Sequence, residues 1–272
     1  MVRTKLLYRL TALLHCGCEV IREGDRLQPV PIPQGGGNRT HVLLEYTGFR
    51  CVNCPEAAQT AQTLHDYYGE RLTVVALHPA SNPFTQGAYD YTCPAADSCY
   101  RFMGGTATTP FPTGNIDGIQ TEKGYFLDPK EWAGEITRRM TDTLAPHLTL
   151  TAEYDHLSRT VYLLASTYAD STYNCRLAVW LVEDSVAGVQ AMPDGTVNTH
   201  YMHRHMLRTT ADDGPWGSPI TVSGTLTQRQ LSMILPDECD RQHCTVVALL
   251  WNADNYQILQ AYETTLDFSI DY

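Results

Sequence analysis

The segment HVLLEYTGFRCVNCPE, residues 41–56, places Cys51 and Cys54 where one kind of element ends and another begins. Residues 42–46 form a short apolar run suited to a buried strand, and Gly48 interrupts it. From Pro55 the apolar positions Ala58, Ala61, Leu64 and Tyr68 recur at helical spacing until Gly69. The pattern predicts a dithiol at the start of a helix. Free N–H groups and the positive end of the helix dipole favour a thiolate there, and Arg50 adds positive charge beside Cys51. Cys51 is therefore expected to be the more acidic, more exposed, attacking sulfur. Cys54, one turn on, is placed to resolve a mixed disulfide. Glu45 precedes Cys51 by six residues on the preceding strand and is the candidate to take the proton from the resolving thiol.

This arrangement resembles the thioredoxin fold, in which a buried acid precedes the first active cysteine by the same interval. The resemblance implies that residues 71–78 form the next parallel strand. It also implies that Phe111, Pro112 and Thr113 form a cis-proline turn facing the dithiol, where an extended peptide substrate lies. Pro110 competes for that position, but the threonine after Pro112 favours the latter. Asp128-Pro-Lys-Glu131 reads as a capping box with proline in the first turn, opening a helix through residues 132–140. A CxxC pair also serves metals, and zinc held by Cys51, Cys54, Cys93 and Cys99 is the alternative to redox chemistry. The expectation is a protein without metal or other cofactor.

The chain carries nine cysteines, mostly in close pairs, which suits an oxidising compartment. Cys93 with Cys99, and Cys239 with Cys244, are expected to be structural disulfides closing small loops; for the first pair a second redox relay is the alternative. Cys175 is left over and is expected to be a buried free thiol.

After residue 146 the pattern changes to alternating and β-branched runs at 148–154, 160–167, 175–183, 197–209, 220–226, 244–252 and 256–268. Seven strands without a long helix predict an all-β, immunoglobulin-like sandwich. Of the net charge of −11, residues 147–272 carry −9, from six basic and 15 acidic side chains with no lysine. Such a surface repels phosphate backbones and anionic headgroups, so neither nucleic acid nor a charged membrane surface is an expected partner. His200, His203 and His205 invite a metal, but no carboxylate or cysteine stands at a matching spacing, and packing at a sheet surface is the favoured reading. The run from Asp212 to Gly217, with Trp216, reads as an exposed turn.

Residues 1–14 have a basic start (Arg3, Lys5) and an apolar body, followed by small residues and cysteine, the shape of an export signal. Gly17 precedes Cys18, the candidate lipidation site, although His15 stands where a lipobox carries leucine. Pro29, Pro31, Pro33 and three consecutive glycines then suit a tether. Association with a membrane is expected only through this lipid anchor, because no segment is apolar for long enough to span one.

Residues 43–57 (LLEYTGFRCVNCPEA), 201–208 (YMHRHMLR) and 215–217 (PWG) are similar to the twenty-eight-kilodalton outer membrane protein family of Bacteroidetes. That resemblance implies an exported, usually lipid-anchored protein joining a thioredoxin-like domain to a β-sandwich. The expected division is 1–38 signal and tether, 39–146 α/β thioredoxin-like domain, and 147–272 sandwich. The expected function is that of a cell-envelope thiol–disulfide oxidoreductase acting on protein or peptide thiols and disulfides. The alternative is a non-catalytic lipoprotein whose sandwich engages an envelope or extracellular partner.

Overall fold

Alternation along the strands decides what each one covers. In the computed structural model, which describes residues 39–212 and 214–268, β1 (His41–Tyr46) and β2 (Leu72–Leu77) pair in parallel with Leu43 opposite Val74. The expected signal and tether, and the candidate lipidation site Cys18, lie outside the described residues. Val42, Leu44 and Tyr46 enter one core with Val75 and Leu77, while Leu43 enters another with Leu72 and Val74. Covering on both faces explains why these two strands read as continuous apolar runs. β3 (Thr113–Ile116) adds to β1 antiparallel.

Three helices enclose this part: α1 (Cys54–Tyr68), α2 (Pro94–Phe102) and α3 (Pro129–Arg139). Ala57 and Ala61 of α1 meet Trp132 and Ile136 of α3 on one face of the sheet. Ala95, Ala96 and Tyr100 of α2 pack on the other. Asp128 and Glu131 cap α3 reciprocally with Pro129 in its first turn, as the sequence predicts.

The second half is built from β4 (His147–Asp155), β5 (Thr160–Tyr168), β6 (Tyr173–Glu183), β7 (Val186–Ala191), β8 (Val197–His203), β9 (Met206–Thr210), β10 (Ser218–Val222), β11 (Thr227–Ile234), β12 (Cys244–Asn252), β13 (Ile258–Thr265) and β14 (Asp267–Phe268). More strands form than the seven expected. The run at 197–209 divides at His205, whose φ of 52° turns the chain; β7 is short and made mostly of small residues, and β11 is polar and partly exposed, so neither shows a clear apolar alternation. A sheet of order β11-β5-β4-β14 stacks on β6 and β12. Between them Leu150, Val161 and Leu163 meet Leu177, Val179, Val246 and Ala248.

The other face of β6 and β12 carries Trp180, Val182, Leu249 and Trp251 into the same core that holds Tyr46, Val75 and Tyr100. The large sheet accordingly continues across both halves in the order β13-β12-β6-β9-β2-β1-β3, with β10 also on β6. Its seam is narrow. Ala76 stands opposite Met206, and the Ala76 N–H donates to the His205 carbonyl at 2.7 Å. Asp117 makes a second tie: its carboxylate accepts from the Val42 N–H at 2.8 Å and from His41 Nδ1 at 2.7 Å. The Asp117 carbonyl accepts from the Ile258 N–H at 2.8 Å, and Arg39 donates to the Ile258 carbonyl at 2.7 Å. A thioredoxin-like α/β region is thus followed in the chain by a β-sandwich, and the two share a sheet and a core.

Candidate active site

Cys51 and Cys54 are joined as a disulfide with Cα atoms 5.4 Å apart, and Cys54 is the first residue of α1. Gly48 lets the chain turn into this loop: a Cβ there would lie 2.6 Å from the Phe84 carbonyl oxygen. The Cys51 N–H donates back to the Gly48 carbonyl at 3.0 Å, closing a tight turn. Asn53 stands at the N-cap without a side-chain cap, so no side chain competes there for the first-turn N–H groups.

The Phe111–Pro112 bond is cis, and Thr113 and Gly114 follow on β3, where Gly114 is in register with Glu45. Gly114 lies so close to the Trp132 indole that a Cβ would meet it at 2.7 Å. Beside this turn a groove of about 1000 Å³ runs past Asn53, Thr60, Phe111, Pro112 and Lys130. Its position flanks the dithiol and leaves room for an extended chain.

Glu45 is 2 % exposed, and its Oε1 has no hydrogen-bond partner among the described residues. Desolvation pushes its carboxyl from 4.5 up to about 8, so it holds its proton at neutral pH. That is the state from which a buried acid can exchange a proton with a nearby thiol.

The expectation of an exposed Cys51 fails: Cys51 is 2 % exposed and Cys54 1 %. Both lie in the core that holds Tyr46, Tyr100 and Phe111, and the loop is also held from far along the chain. Gln190 of β7 donates from Nε2 to the Cys51 carbonyl at 2.9 Å, and the Ala191 N–H donates to the Phe49 carbonyl at 2.7 Å. Arg50 does not turn toward the sulfurs either. Its guanidinium donates outward to the Gln86 carbonyl at 3.2 Å.

The other expected thiol pairs are corrected too, since Cys93, Cys99, Cys239 and Cys244 all stand as free buried thiols. Cys93 is the N-cap of α2 and Cys99 lies within that helix. Six residues of helical rise separate them by about 9 Å along the axis, beyond the span of a disulfide. Cys239 and Cys244 do meet, with their sulfurs and a Glu183 oxygen all within 4.8 Å of one another. A hydrogen bond from Cys244, and then the Arg208 guanidinium, lower the Cys239 thiol, whereas that same bond and burial raise Cys244. Arg208 also pairs with Glu183 at 3.3 Å, so positive charge is already supplied where a metal ion would sit. Cys175 is a buried free thiol, and burial pushes it up to about 11.

The three histidines diverge. His200 is exposed, His203 Nε2 donates to the Val189 carbonyl at 3.2 Å, and His205 Nε2 meets Gln62 Oε1 at 3.0 Å.

Residues 102–267 match the family described as Outer membrane protein Omp28, which is more than half of the chain. The chain belongs to the Omp28 family. Membership places it among outer membrane proteins of the cell envelope. The match begins at Phe102, after the dithiol, so it takes in Pro112 and the sandwich but not Cys51 and Cys54. Among the described residues, no helix is long and apolar enough to cross a membrane.

Among solved structures, HBP35 of Porphyromonas gingivalis is 17 % identical with a TM-score of 0.67, covering 86 % of this chain and 77 % of that one. Protein AGR_C_4864 from Agrobacterium tumefaciens is 12 % identical with a TM-score of 0.51, covering 88 % and 100 %. A domain of the outer membrane lipoprotein Omp28 from Porphyromonas gingivalis is 13 % identical with a TM-score of 0.34, covering 46 % and 91 %. The first two share the fold. No curated protein matches the chain in sequence.

Gln190, Tyr91 and Asp117 have no counterpart in the sequence analysis. Each acts through a contact dozens of residues away, and no local pattern marks it.

Proposed function

We propose that this Omp28-family protein is an envelope thiol–disulfide oxidoreductase acting on protein or peptide substrates. The observation that carries the reading is the Cys51–Cys54 pair at the start of α1, in a thioredoxin-like frame with a neutral buried Glu45 and a cis-Pro112 turn. In the reduced protein the Cys51 thiolate attacks a substrate disulfide, forming a mixed disulfide and expelling one substrate thiolate, which takes up a proton. Glu45 gives up that proton and, now as the carboxylate, takes the proton of Cys54, which attacks the Cys51 sulfur and expels the second substrate thiolate. Two electrons pass to the substrate and the Cys51–Cys54 bond forms. The reverse sequence oxidises a dithiol. The groove beside Phe111, Pro112 and Thr113 holds the extended substrate, and Cys18 carries the lipid anchor.

Equilibration with glutathione redox buffers, read by alkylation and mass, tests this: a defined two-electron potential for Cys51/Cys54 is expected, and Cys54→Ser should trap a substrate as a mixed disulfide through Cys51. A potential below that of every physiological thiol buffer, with no trapped species, refutes it.

A second reading is favoured by the burial of both sulfurs and by the acidic, lysine-free second half. In it the disulfide is a staple and the sandwich binds an envelope partner. That reading requires binding by a Cys51→Ser, Cys54→Ser double variant at wild-type affinity.

A further inference from the structure

β7 and β8 form a two-stranded sheet of their own, hydrogen-bonded as strands to neither larger sheet. An isolated two-stranded hairpin in water is marginal, so this one persists through what it lies against. It lies against the dithiol loop. Gln190 and Ala191 bond the carbonyls of Cys51 and Phe49 at 2.9 Å and 2.7 Å. Further out, the Val189 N–H donates to the Tyr91 hydroxyl at 2.9 Å. Tyr91 stacks edge-on to Phe49 and packs against His203, the last residue of β8.

The underside of the hairpin is thus a small aromatic cushion, while most of β8 faces water. Both of its ends are sharp left-handed bends. Ser185, just before β7, has a φ of 58°, and His205, just after β8, has a φ of 52°. Neither is glycine, and both bends lie between rigid elements: β6 ends at Glu183 and β9 begins at Met206. The base is pinned, since the Asp240 N–H donates to Glu183 at 2.7 Å and the Asp184 N–H to the His243 carbonyl at 2.9 Å. A body with a fixed base, two bends and a few countable bonds at its working surface can swing as a unit.

We infer that the β7–β8 hairpin is a hinged strap that closes over Cys51 and must lift before a protein substrate reaches the sulfur. The inference rests on the oxidoreductase reading for its purpose, though not for its geometry. With the strap down, Cys51 and Cys54 are both shut from solvent, and in-line attack on a bulky disulfide has no approach. With the strap up, the Cys51 loop joins the groove beside Pro112 into one open face.

The test measures access rather than turnover. The full-length protein is reduced, and the rate at which iodoacetamide alkylates Cys51 is followed by peptide mass. Gln190→Ala removes the bond to the Cys51 carbonyl, and Gly188→Ala drives a methyl group into the Tyr91 hydroxyl, which the glycine now touches. Each should speed alkylation of Cys51 about five- to tenfold, the scale of one buried hydrogen bond in an opening equilibrium.

Hydrogen exchange on the unaltered protein covers the case in which a variant folds badly. The Val189 and Ala191 amides should exchange through local opening, well ahead of those in β6 and β12. Equal alkylation rates in folded variants and wild type, or Val189 and Ala191 amides that exchange only with global unfolding, overturn the strap. A strap that opens on a protein with no defined Cys51/Cys54 potential leaves the strap standing and removes the oxidoreductase.

Discussion

Glu45→Gln should make the protein more stable at pH 8 and leave it unchanged at pH 4. Glu45 is fully buried on β1, and its carboxyl is raised from 4.5 to about 8 by desolvation alone. In the unfolded chain it ionises near 4.5, whereas in the folded protein it stays protonated until about pH 8. Between those values the native state binds the extra proton, so stability falls as pH rises. At about 1.4 kcal/mol for each pH unit, the whole window amounts to roughly 5 kcal/mol, an upper bound because water entry and relaxation relieve part of it. Glutamine has nearly the same shape and no proton to lose, so it removes that slope. Urea unfolding of the oxidised protein at half-unit steps from pH 4 to pH 9 provides the assay. The wild-type and variant curves should coincide at the acid end and separate by about 3–5 kcal/mol at pH 8, with the variant higher. Parallel curves across the window would show that Glu45 is not held neutral by burial. Its assignment as the proton carrier would then fall as well.

Asp117→Ala should cost about 3–5 kcal/mol in thermal or urea unfolding, since it strands the His41 ring and the Val42 N–H in a fully buried site and must hold alanine at positive φ. A loss under 1 kcal/mol would mean that the tie between β1 and β13 carries little. Gly114→Ala should cost about 1–3 kcal/mol by forcing a methyl group into the Trp132 indole, with tryptophan fluorescence reporting the shift. Mild oxidation should close Cys239 to Cys244, whose sulfurs already meet, before it changes Cys93 or Cys99, which a helix holds apart. Peptide mass would show the loss of two hydrogens, and closure of Cys93 to Cys99 first would contradict the helix geometry.

The strand, glycine, dithiol and helix at 41–68 were legible because each rests on local rules: a five-residue apolar run, a chain turn, a 3.6-residue period. The capping box at Asp128 and Glu131 is local in the same sense. In the second half β4 alternates, β5, β6 and β12 carry apolar runs, and all four fall close to their expected positions. Strands β7 and β11 escaped notice because partly exposed ribbons do not need apolar residues at every second place. The Cys93–Cys99 pair was misjudged because spacing along a chain does not give spacing in space. Five intervening residues in a helix separate two thiols, while four in a turn bring two together.

Sequence alone, then, determined the order of elements, the placement of Cys51 and Cys54 at the head of a helix, and the acid at Glu45, since these depend on neighbours within a turn or two. Tertiary structure decided whether that dithiol is open. Gln190 lies 139 residues from Cys51, and only the return of β6 through β9 to the edge of β2 brings the strap across it. Burial of a sulfur depends on everything that packs near it, and no window of sequence contains that.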